Sequence, residues 1–503
     1  MTRFTFLDYS VFVVYLLVIV GVGLASLRGQ KNVKDYLLAG RNMNFILVAI
    51  SVVAAIFSGI TYLGAPGEVY AHDLSFSLYA LAFFISTPIT TIIFLPFFYK
   101  ASFFTAYQYL EERFSVGVRT LSSASFIVRV LLWLALATYA PAMALEQVTG
   151  IPLWATIMIT GVLTTFYTTI GGMKAVIRTD VMQFVVLIGG QFAIFIAAIR
   201  KIPGGISGVY HLADEAGKFT LNWSLDPTVR VTFWGVIIGA TFMNLVQLAT
   251  DQVTVQRYMT TKNLKAAQRS LWLKLALTLP TVAIFYGTGV VLSAFYRINP
   301  DPMATGQITK VDQVLPFFVV NELPFGLPGV LIAAIYGASM GVISSGINAL
   351  TTTTLIDFYQ RLWRPNVEPA RQLKLARWLT VMYGIIVLLL AFVIERLGTL
   401  MEASNTAIGL AGGPLLGLFL LGMLSRRANA KGAVIGWVAG FALLLPVCFA
   451  THVSFLWYAM IGCLTTMIVG WIASLLAAPP SPKQIEGLTY DRRYMRGEEQ
   501  PAQ

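Results

Sequence analysis

Long apolar runs recur along the whole chain and are separated by short loops that carry most of the charged residues. A run of about 20 apolar residues is long enough to cross the hydrocarbon core of a bilayer as a helix. The chain is 57% hydrophobic and 12% charged, whereas soluble domains carry roughly 25% charged residues. This pattern excludes a soluble globular fold and predicts an all-α polytopic membrane protein.

We count thirteen such runs and number them spans 1 to 13. Span 1 has only Arg3 before it and is long enough to cross the membrane, so we predict a retained helix rather than a cleaved signal peptide. The predicted spans are 8–27, 43–65, 74–99, 120–145, 151–170, 180–199, 231–250, 275–296, 325–355, 378–395, 402–424, 432–450 and 453–477.

The distribution of Lys and Arg predicts the topology. The loops after odd-numbered spans together carry 22 of these residues, and the loops after even-numbered spans carry 7. Because cytoplasmic loops are enriched in cations, we expect the N-terminus outside and the tail 478–503 in the cytoplasm of a plasma (inner) membrane protein. The net charge of +12 is therefore a feature of topology rather than of nucleic-acid binding. Arg129 lies inside a span near its cytoplasmic end, where we expect its side chain to snorkel.

Two spans contain small polar residues that predict broken helices. Span 2 carries Ser58 and Thr61 before a Gly-Ala-Pro sequence, and span 7 carries Asn244 and Gln247. Unwound backbone at membrane depth is tolerated where it lines a cavity, and paired breaks indicate the binding site of a secondary transporter. The alternative is that these small polar residues simply hold neighbouring helices together.

The two predicted breaks lie five helices apart, and an odd number gives the two halves opposite orientations. We therefore predict an inverted repeat of five plus five helices, formed by spans 2–6 and spans 7–11, within one transmembrane transporter domain, 1–477. The first helix (1–27) and the last two (432–477) are peripheral to the repeats, which cover 43–199 and 231–424.

Span 9 and the start of span 6 together suggest a cation site. Ser344 and Ser345 lie on span 9, and Asp180 lies at the expected cytoplasmic mouth of span 6. Hydroxyls with one compensating carboxylate suit a monovalent cation such as sodium, and a carboxylate at membrane depth needs a partner. Two alternatives remain open, namely that Asp180 is a helix cap or forms a salt bridge with Lys174 or Arg178.

Several motifs resemble the sodium:solute symporter family over residues 8 to about 477. They are "TAYQYLEERF", "YAPAMALEQVTGIPLWATIMITGVLTTFYTTIGGMKAVIRTDVMQ", "DQVTVQRY" and "GLAGGPLLGLFLLG". The likeness is nearest to the iodide, monocarboxylate and multivitamin carriers, with bacterial sialic acid and galactose carriers as further relatives. It implies a LeuT-like fold, alternating access and sodium as the coupling ion rather than as a tightly held cofactor.

The resemblance also implies two sodium sites. The main site of the family uses backbone carbonyls, here those of Ala54, Phe57 and Ala338, and two adjacent hydroxyl residues. Gly341 and Val342 stand at the hydroxyl positions, so this site has lost both side-chain ligands.

The second sodium site uses an aspartate and neighbouring hydroxyls, which correspond to Asp180, Ser344 and Ser345. Arg178 is unusual, because close relatives place Trp before the Thr-Asp pair. A cation at this position could compete with the transported ion.

The substrate is expected between the two breaks. By resemblance, Trp133 stands where sialic acid carriers place an arginine and Ala80 where they place a glutamine, which argues against sialic acid. Few charges and several apolar walls favour a small monocarboxylate or a vitamin-like organic anion. The expected lining residues are Ser58, Thr61, Phe76, Ala80, Trp133, Asn244 and Gln247.

We therefore predict a sodium-coupled symporter that imports a small organic solute. The alternatives are a proton-coupled or uncoupled carrier and a transport-deficient membrane sensor on the same fold. An enzyme is not expected, because the sequence holds no cluster of acids, histidines or nucleophiles and both Cys448 and Cys463 lie in apolar runs. The expected partners are the solute and the bilayer, with no nucleic acid and no obligate protein partner.

Overall fold

The computed structural model describes residues 4–25, 33–100, 103–393 and 400–490. Part of the first predicted cytoplasmic loop and the end of the predicted tail lie outside these residues. The described chain is built of helices, and an isolated parallel bridge joins Met43 to Thr261.

Ten helices occupy the first half of the chain: α1 (Phe6–Ala25), α2 (Val33–Leu38), α3 (Phe45–Ile56), α4 (Gly59–Ala71), α5 (Tyr79–Ile89), α6 (Leu95–Lys100), α7 (Gln108–Arg113), α8 (Val116–Thr149), α9 (Leu153–Ile199) and α10 (Gly205–Glu215). Ten more follow: α11 (Ala240–Leu245), α12 (Gln252–Tyr258), α13 (Leu264–Ile298), α14 (Val314–Glu322), α15 (Leu327–Thr353), α16 (Pro369–Ala391), α17 (Leu400–Leu424), α18 (Ala430–Ala450), α19 (Tyr458–Leu475) and α20 (Pro482–Ile485).

Short 3₁₀ and π-helical segments extend some of these helices. A 3₁₀ segment, Ser75–Leu78, and a π-helical segment, Thr90–Phe94, form one span together with α5 and α6. A further π-helical segment, Thr354–Trp363, continues α15. Two π-helical segments, Gly235–Gly239 and Val246–Thr250, flank α11.

Each of the thirteen predicted runs contains an apolar helix. Among the described residues, nine helices are long and apolar enough to cross a membrane, and two bent pairs raise the number to eleven. The two remaining runs hold shorter apolar helices, Phe6–Ile19 and Leu153–Phe166. The all-α membrane architecture is confirmed, and the count of thirteen stays a prediction.

Two spans are broken, one in each predicted repeat. The chain bends by 57° between α3 and α4, where the Ser58 hydroxyl caps α4 by accepting from the amide of Ile60 at 3.2 Å. It bends by 56° before α12, where the Asp251 carboxylate accepts from the amide of Val253 at 2.9 Å. In both places the side chain replaces a backbone acceptor that the interrupted helix has lost.

The second break differs in position from the prediction. It falls at Asp251, whereas Asn244 and Gln247 lie in the continuous helical stretch before it. Asp251 forms a buried ion pair at this break. The guanidinium of Arg129 lies 2.6 Å from the Asp251 carboxylate, and Arg129 is 2% exposed. Arg129 therefore does not snorkel, because a buried ion pair offsets its charge.

Spans 5 and 6 meet at a single glycine rather than at a loop. Gly172 interrupts α9 with a φ of +56°, which L side chains rarely adopt. A Cβ atom there would lie 2.8 Å from both the ring and the carbonyl oxygen of Tyr36. The predicted loop 171–179 is therefore mostly helix, and Asp180 lies inside span 6 instead of at its start.

The ninth span is the centre of the bundle. Almost every residue of α15 is buried, and α15 packs against α1, α8 and α9. Its serines and threonines are therefore shielded from lipid by other helices. Polar groups in such a position line internal sites or hold helices together.

Candidate functional site

Four helices bring polar side chains together around Asp180, which is fully buried. Its Oδ2 atom accepts from the Ser51 hydroxyl at 2.5 Å and lies 3.1 Å from Nη2 of Arg257. Arg257 also donates through Nε to Ser51 at 2.9 Å and through Nη2 to the hydroxyl of Ser345. We call Ser51, Asp180, Arg257 and Ser345 the Asp180 cluster; they come from α3, α9, α12 and α15.

Two oxygen atoms beside this cluster have no hydrogen-bond partner within the described chain. They are Oδ1 of Asp180 and Oε1 of Gln183, one helical turn apart. A Cβ atom on Gly341 would lie 2.9 Å from the first and 2.5 Å from the second. The missing side chain at position 341 thus leaves room for both oxygens against α15.

The serines predicted to join Asp180 lie on the same turn of α15. The hydroxyls of Ser344 and Ser345 donate to the carbonyl oxygen of Gly341 at 3.0 and 2.6 Å. A carboxylate, an amide oxygen, hydroxyls and a carbonyl are therefore concentrated in one small volume. Oxygen donors of this kind suit a hard cation.

The two alternatives for Asp180 are wrong. A helix cap is excluded because the residue lies within the helical turns that follow Gly172. Its ion-pair partner is Arg257 rather than Lys174 or Arg178. The sequence analysis did not identify Arg257 or Gln183. Arg257 could have been found, because it lies in "DQVTVQRY" directly after an apolar span and a buried carboxylate requires a cationic partner.

The residues expected at the main sodium site lie where the broken span meets α15. Ala54 lies in the last turn of α3 and Phe57 directly follows that helix, where carbonyl groups lose their helical amide partners. A Cβ atom on Gly59 would lie 2.2 Å from the hydroxyl of Ser339, the residue after Ala338. This close approach places the break in span 2 next to the carbonyl group of Ala338, which was predicted as a ligand. Gly341 and Val342 contribute no hydroxyl group to this site.

A cavity lies beside the first break. All but one of the predicted substrate residues line it, and the exception is Asn244. Asn244 is fully buried, and its amide has no hydrogen-bond partner within the described chain. The predicted residues in the cavity wall are Ser58, Thr61, Phe76, Ala80, Trp133 and Gln247.

Further aromatic residues in the wall were not predicted. Tyr79 and Phe83 lie on the same helical face as Phe76, a spacing that could have identified them. Gln247 donates to the Tyr79 hydroxyl at 3.1 Å, which ties the region of the second break to α5. Among the residues that the structure describes, those in the cavity wall are uncharged.

Comparisons with known proteins decide the family. The profile of the sodium:solute symporter family matches residues 36–440. The chain belongs to this family. The human sodium-coupled monocarboxylate transporter 1 is 37% identical over 450 residues, which cover 88% of this chain and 73% of the relative. A sodium/sialic acid symporter of Proteus mirabilis is 33% identical over 95% of this chain and 96% of its own length.

Solved structures agree with this assignment. A substrate-bound, outward-open structure of a sodium-coupled sialic acid symporter matches with a TM-score of 0.87 and 32% identity, over 95% of this chain and 99% of that one. A nucleobase-cation symporter, Mhp1, shares the fold alone, with a TM-score of 0.53 and 14% identity. The expectations of a LeuT-like fold, a transporter rather than an enzyme, and sodium as the coupling ion of the family are confirmed.

One buried carboxylate of this symporter, that of Asp312, lies outside the predicted spans. Asp312 is 2% exposed, and its Oδ2 atom accepts from the amide of Leu400, at the start of α17, at 3.1 Å. Nearby on α4, Glu68 forms a two-pronged ion pair with Arg230, with distances of 2.6 and 2.9 Å. Burial raises the pKa of Asp312 to about 6, against the smaller opposing effects of the Leu400 amide and Lys310.

We expect Asp312→Asn to remove a pH dependence of stability. A carboxyl group whose pKa is higher in the folded state binds its proton more tightly there, so stability falls as pH rises from about 4 to about 6. The variant should match wild type near pH 4.5 and melt about 1 to 3 °C higher at pH 7.5. Melting temperatures in detergent across this range test it, with Glu368→Gln as the exposed control. A difference that does not change with pH contradicts it.

Proposed function

We propose that this protein is a sodium-coupled symporter that imports small monocarboxylates or vitamin-like organic anions. Membership of the sodium:solute symporter family and similarity to a monocarboxylate transporter support this class of substrate. The observation that carries the proposal is the group of oxygen atoms around Asp180. This group lies where α3, α9, α12 and α15 meet.

Asp180 is proposed as the carboxylate ligand of the coupling ion. Its Oδ1 atom and Oε1 of Gln183 are the two oxygens without hydrogen-bond partners beside Gly341. Ser344 and Ser345 are proposed to supply hydroxyls, once they turn from the carbonyl oxygen they now contact. Arg257 balances the carboxylate charge when sodium is absent, since an unpaired buried carboxylate is costly.

A weaker site is proposed at the carbonyls of Ala54, Phe57 and Ala338. Gly341 and Val342 supply no side-chain oxygen there. A cation with backbone ligands alone would have to keep water molecules to complete its shell. We therefore propose that coupling runs mainly through Asp180.

The cavity is proposed as the substrate site. Aromatic walls from Phe76 and Trp133 suit an apolar carbon skeleton, and Ser58, Thr61 and Gln247 offer hydrogen bonds. The cation bias of the loops supports an extracellular N-terminus and a cytoplasmic C-terminus. In this orientation sodium and substrate enter from outside and leave toward the cytoplasm.

Uptake into proteoliposomes tests the proposal. The probes are radiolabelled straight-chain monocarboxylates from acetate to hexanoate, together with benzoate, under an inward sodium gradient or a matched potassium gradient. We expect accumulation that requires sodium and collapses when an ionophore dissipates the gradient. Accumulation that follows a pH gradient at equal sodium would favour proton coupling, and binding without accumulation would favour the sensor alternative.

A further inference from the structure

Lys274 is a buried lysine for which the described residues supply no counter-charge. The sequence places it at the end of the loop 251–274, but it lies inside α13 and is fully buried. Its side-chain nitrogen has no hydrogen-bond partner within the described chain, and no described carboxylate lies within ion-pair distance. The nitrogen lies 3.0 Å from the centroid of the Phe83 ring. Burial of an unpaired ammonium is unfavourable, so a lysine is an unexpected residue at this position unless it has another role.

The ring of Phe83 contacts both Lys274 and the proposed substrate cavity. The same ring that covers Lys274 forms part of the cavity wall. On α13, Val282 and Tyr286 also line the cavity, about two and three helical turns C-terminal to Lys274. Lys274 therefore lies beyond the cavity along α13, and its contact with Phe83 links it to the cavity wall.

Two buried hydroxyl groups lie one helical turn beyond Phe83 on α5. Ser86 and Thr87 follow Phe83 by one helical turn, are fully buried, and have no hydrogen-bond partner for their side chains within the described chain. The contact of α5 with α13 continues beyond them, because Gln268 donates to the carbonyl oxygen of Thr91 at 3.1 Å. The lysine and the two hydroxyls thus provide several donors for which the described residues supply no acceptor.

We propose that Lys274 is the counter-charge for the carboxylate of the transported anion, which it contacts when the ring of Phe83 turns aside. This inference rests on the proposed function, because it assumes an anionic substrate. It supplies the cation that the cavity wall lacks, and it explains why an uncompensated ammonium is kept beside that wall. Ser86 and Thr87 donate to the same carboxylate.

Pairs of ligands with the same carbon skeleton, one charged and one neutral, distinguish recognition of the carboxylate charge from the fit of the skeleton in the cavity. Each straight-chain monocarboxylate from acetate to hexanoate, and benzoate, is compared with its primary amide by binding to purified protein in sodium. Lys274→Met keeps the chain length and removes the charge, and Lys274→Arg keeps the charge. Lys265→Met, an exposed lysine earlier on the same helix, is the matched control.

Lys274→Met is expected to weaken carboxylate binding by about 10- to 100-fold, the range of a lost charge-assisted hydrogen bond. Amide binding should stay within about two-fold, and Lys274→Arg should retain most of the carboxylate affinity. The sodium-dependent rise in melting temperature should persist in Lys274→Met, which shows that the variant is folded. Lys274→Gln serves as a second neutral variant if the methionine variant is poorly produced.

Two results overturn the inference and are distinguishable. If wild type and Lys274→Met bind and transport carboxylates equally, Lys274 is not the counter-charge, and the proposed function stands. If wild type neither binds nor transports any carboxylate of the panel, the inference and the proposed substrate class fall together. An equal loss of carboxylate and amide binding also overturns the inference, because it indicates a structural role for the lysine.

Discussion

Asp180→Asn is expected to abolish the stabilisation of the purified protein by sodium. The substitution removes the only carboxylate of the Asp180 cluster and leaves the buried Arg257 without its ion-pair partner. Breaking such a pair costs about 3 to 5 kcal/mol, so the variant should also melt at a lower temperature. The measurement is thermal stability across a sodium titration, against potassium and choline at matched ionic strength.

A double variant separates the two effects. Asp180→Asn combined with Arg257→Gln removes both charges, and it should recover part of the lost stability because no buried charge is left unpaired. We expect it to remain insensitive to sodium. Asp214→Asn, an exposed acid on α10, is the control and should respond to sodium as wild type does. A folded Asp180→Asn protein with an unchanged sodium midpoint would refute the proposed site.

Asp357→Ala is expected to prevent stable folding. Asp357 is fully buried, and it accepts from the Thr105 hydroxyl at 2.7 Å, from Nε of Arg119 at 2.9 Å and from the Ser123 hydroxyl at 2.8 Å. The alanine leaves these donors unpaired, and loss of one partner of a buried ion pair alone costs about 3 to 5 kcal/mol. The yield of monodisperse protein in size-exclusion chromatography measures the effect.

Two comparisons make this result specific. Asp357→Asn keeps an acceptor for the hydroxyls and should fold better than Asp357→Ala. Glu368→Ala removes an exposed acid and should behave as wild type. A well-folded Asp357→Ala protein with a wild-type melting temperature would contradict the importance of this network.

The fold was largely predictable from the sequence, because lipid imposes strong constraints on a spanning chain. Every backbone group must be satisfied within a helix, so apolar length and loop charge locate the spans. The break at Ser58 is consistent with this requirement, because the Ser58 side chain accepts a hydrogen bond from the first turn of α4. The break at Asp251 was misplaced because a charged residue next to an apolar run resembles an ordinary loop residue.

The candidate site was only partly predictable. Asp180 and the two serines were identified by residue type, and the structure places Ser345 in the Asp180 cluster. Arg257 and Gln183 were missed because their roles depend on the packing of four helices, which no local pattern encodes. The position of Lys274 could not be predicted for the same reason, since only the fold shows that this residue of α13 is buried.

The glycine at position 341 has an energetic consequence for the transport cycle that we propose. If the weaker carbonyl site releases its sodium ion and only the Asp180 site couples, one sodium ion moves with each monovalent anion. Such a cycle is electroneutral, so the membrane potential does not drive it. Each further sodium ion would have added about 2.3 kcal/mol per 100 mV. Accumulation is then limited by the ratio of sodium concentrations across the membrane.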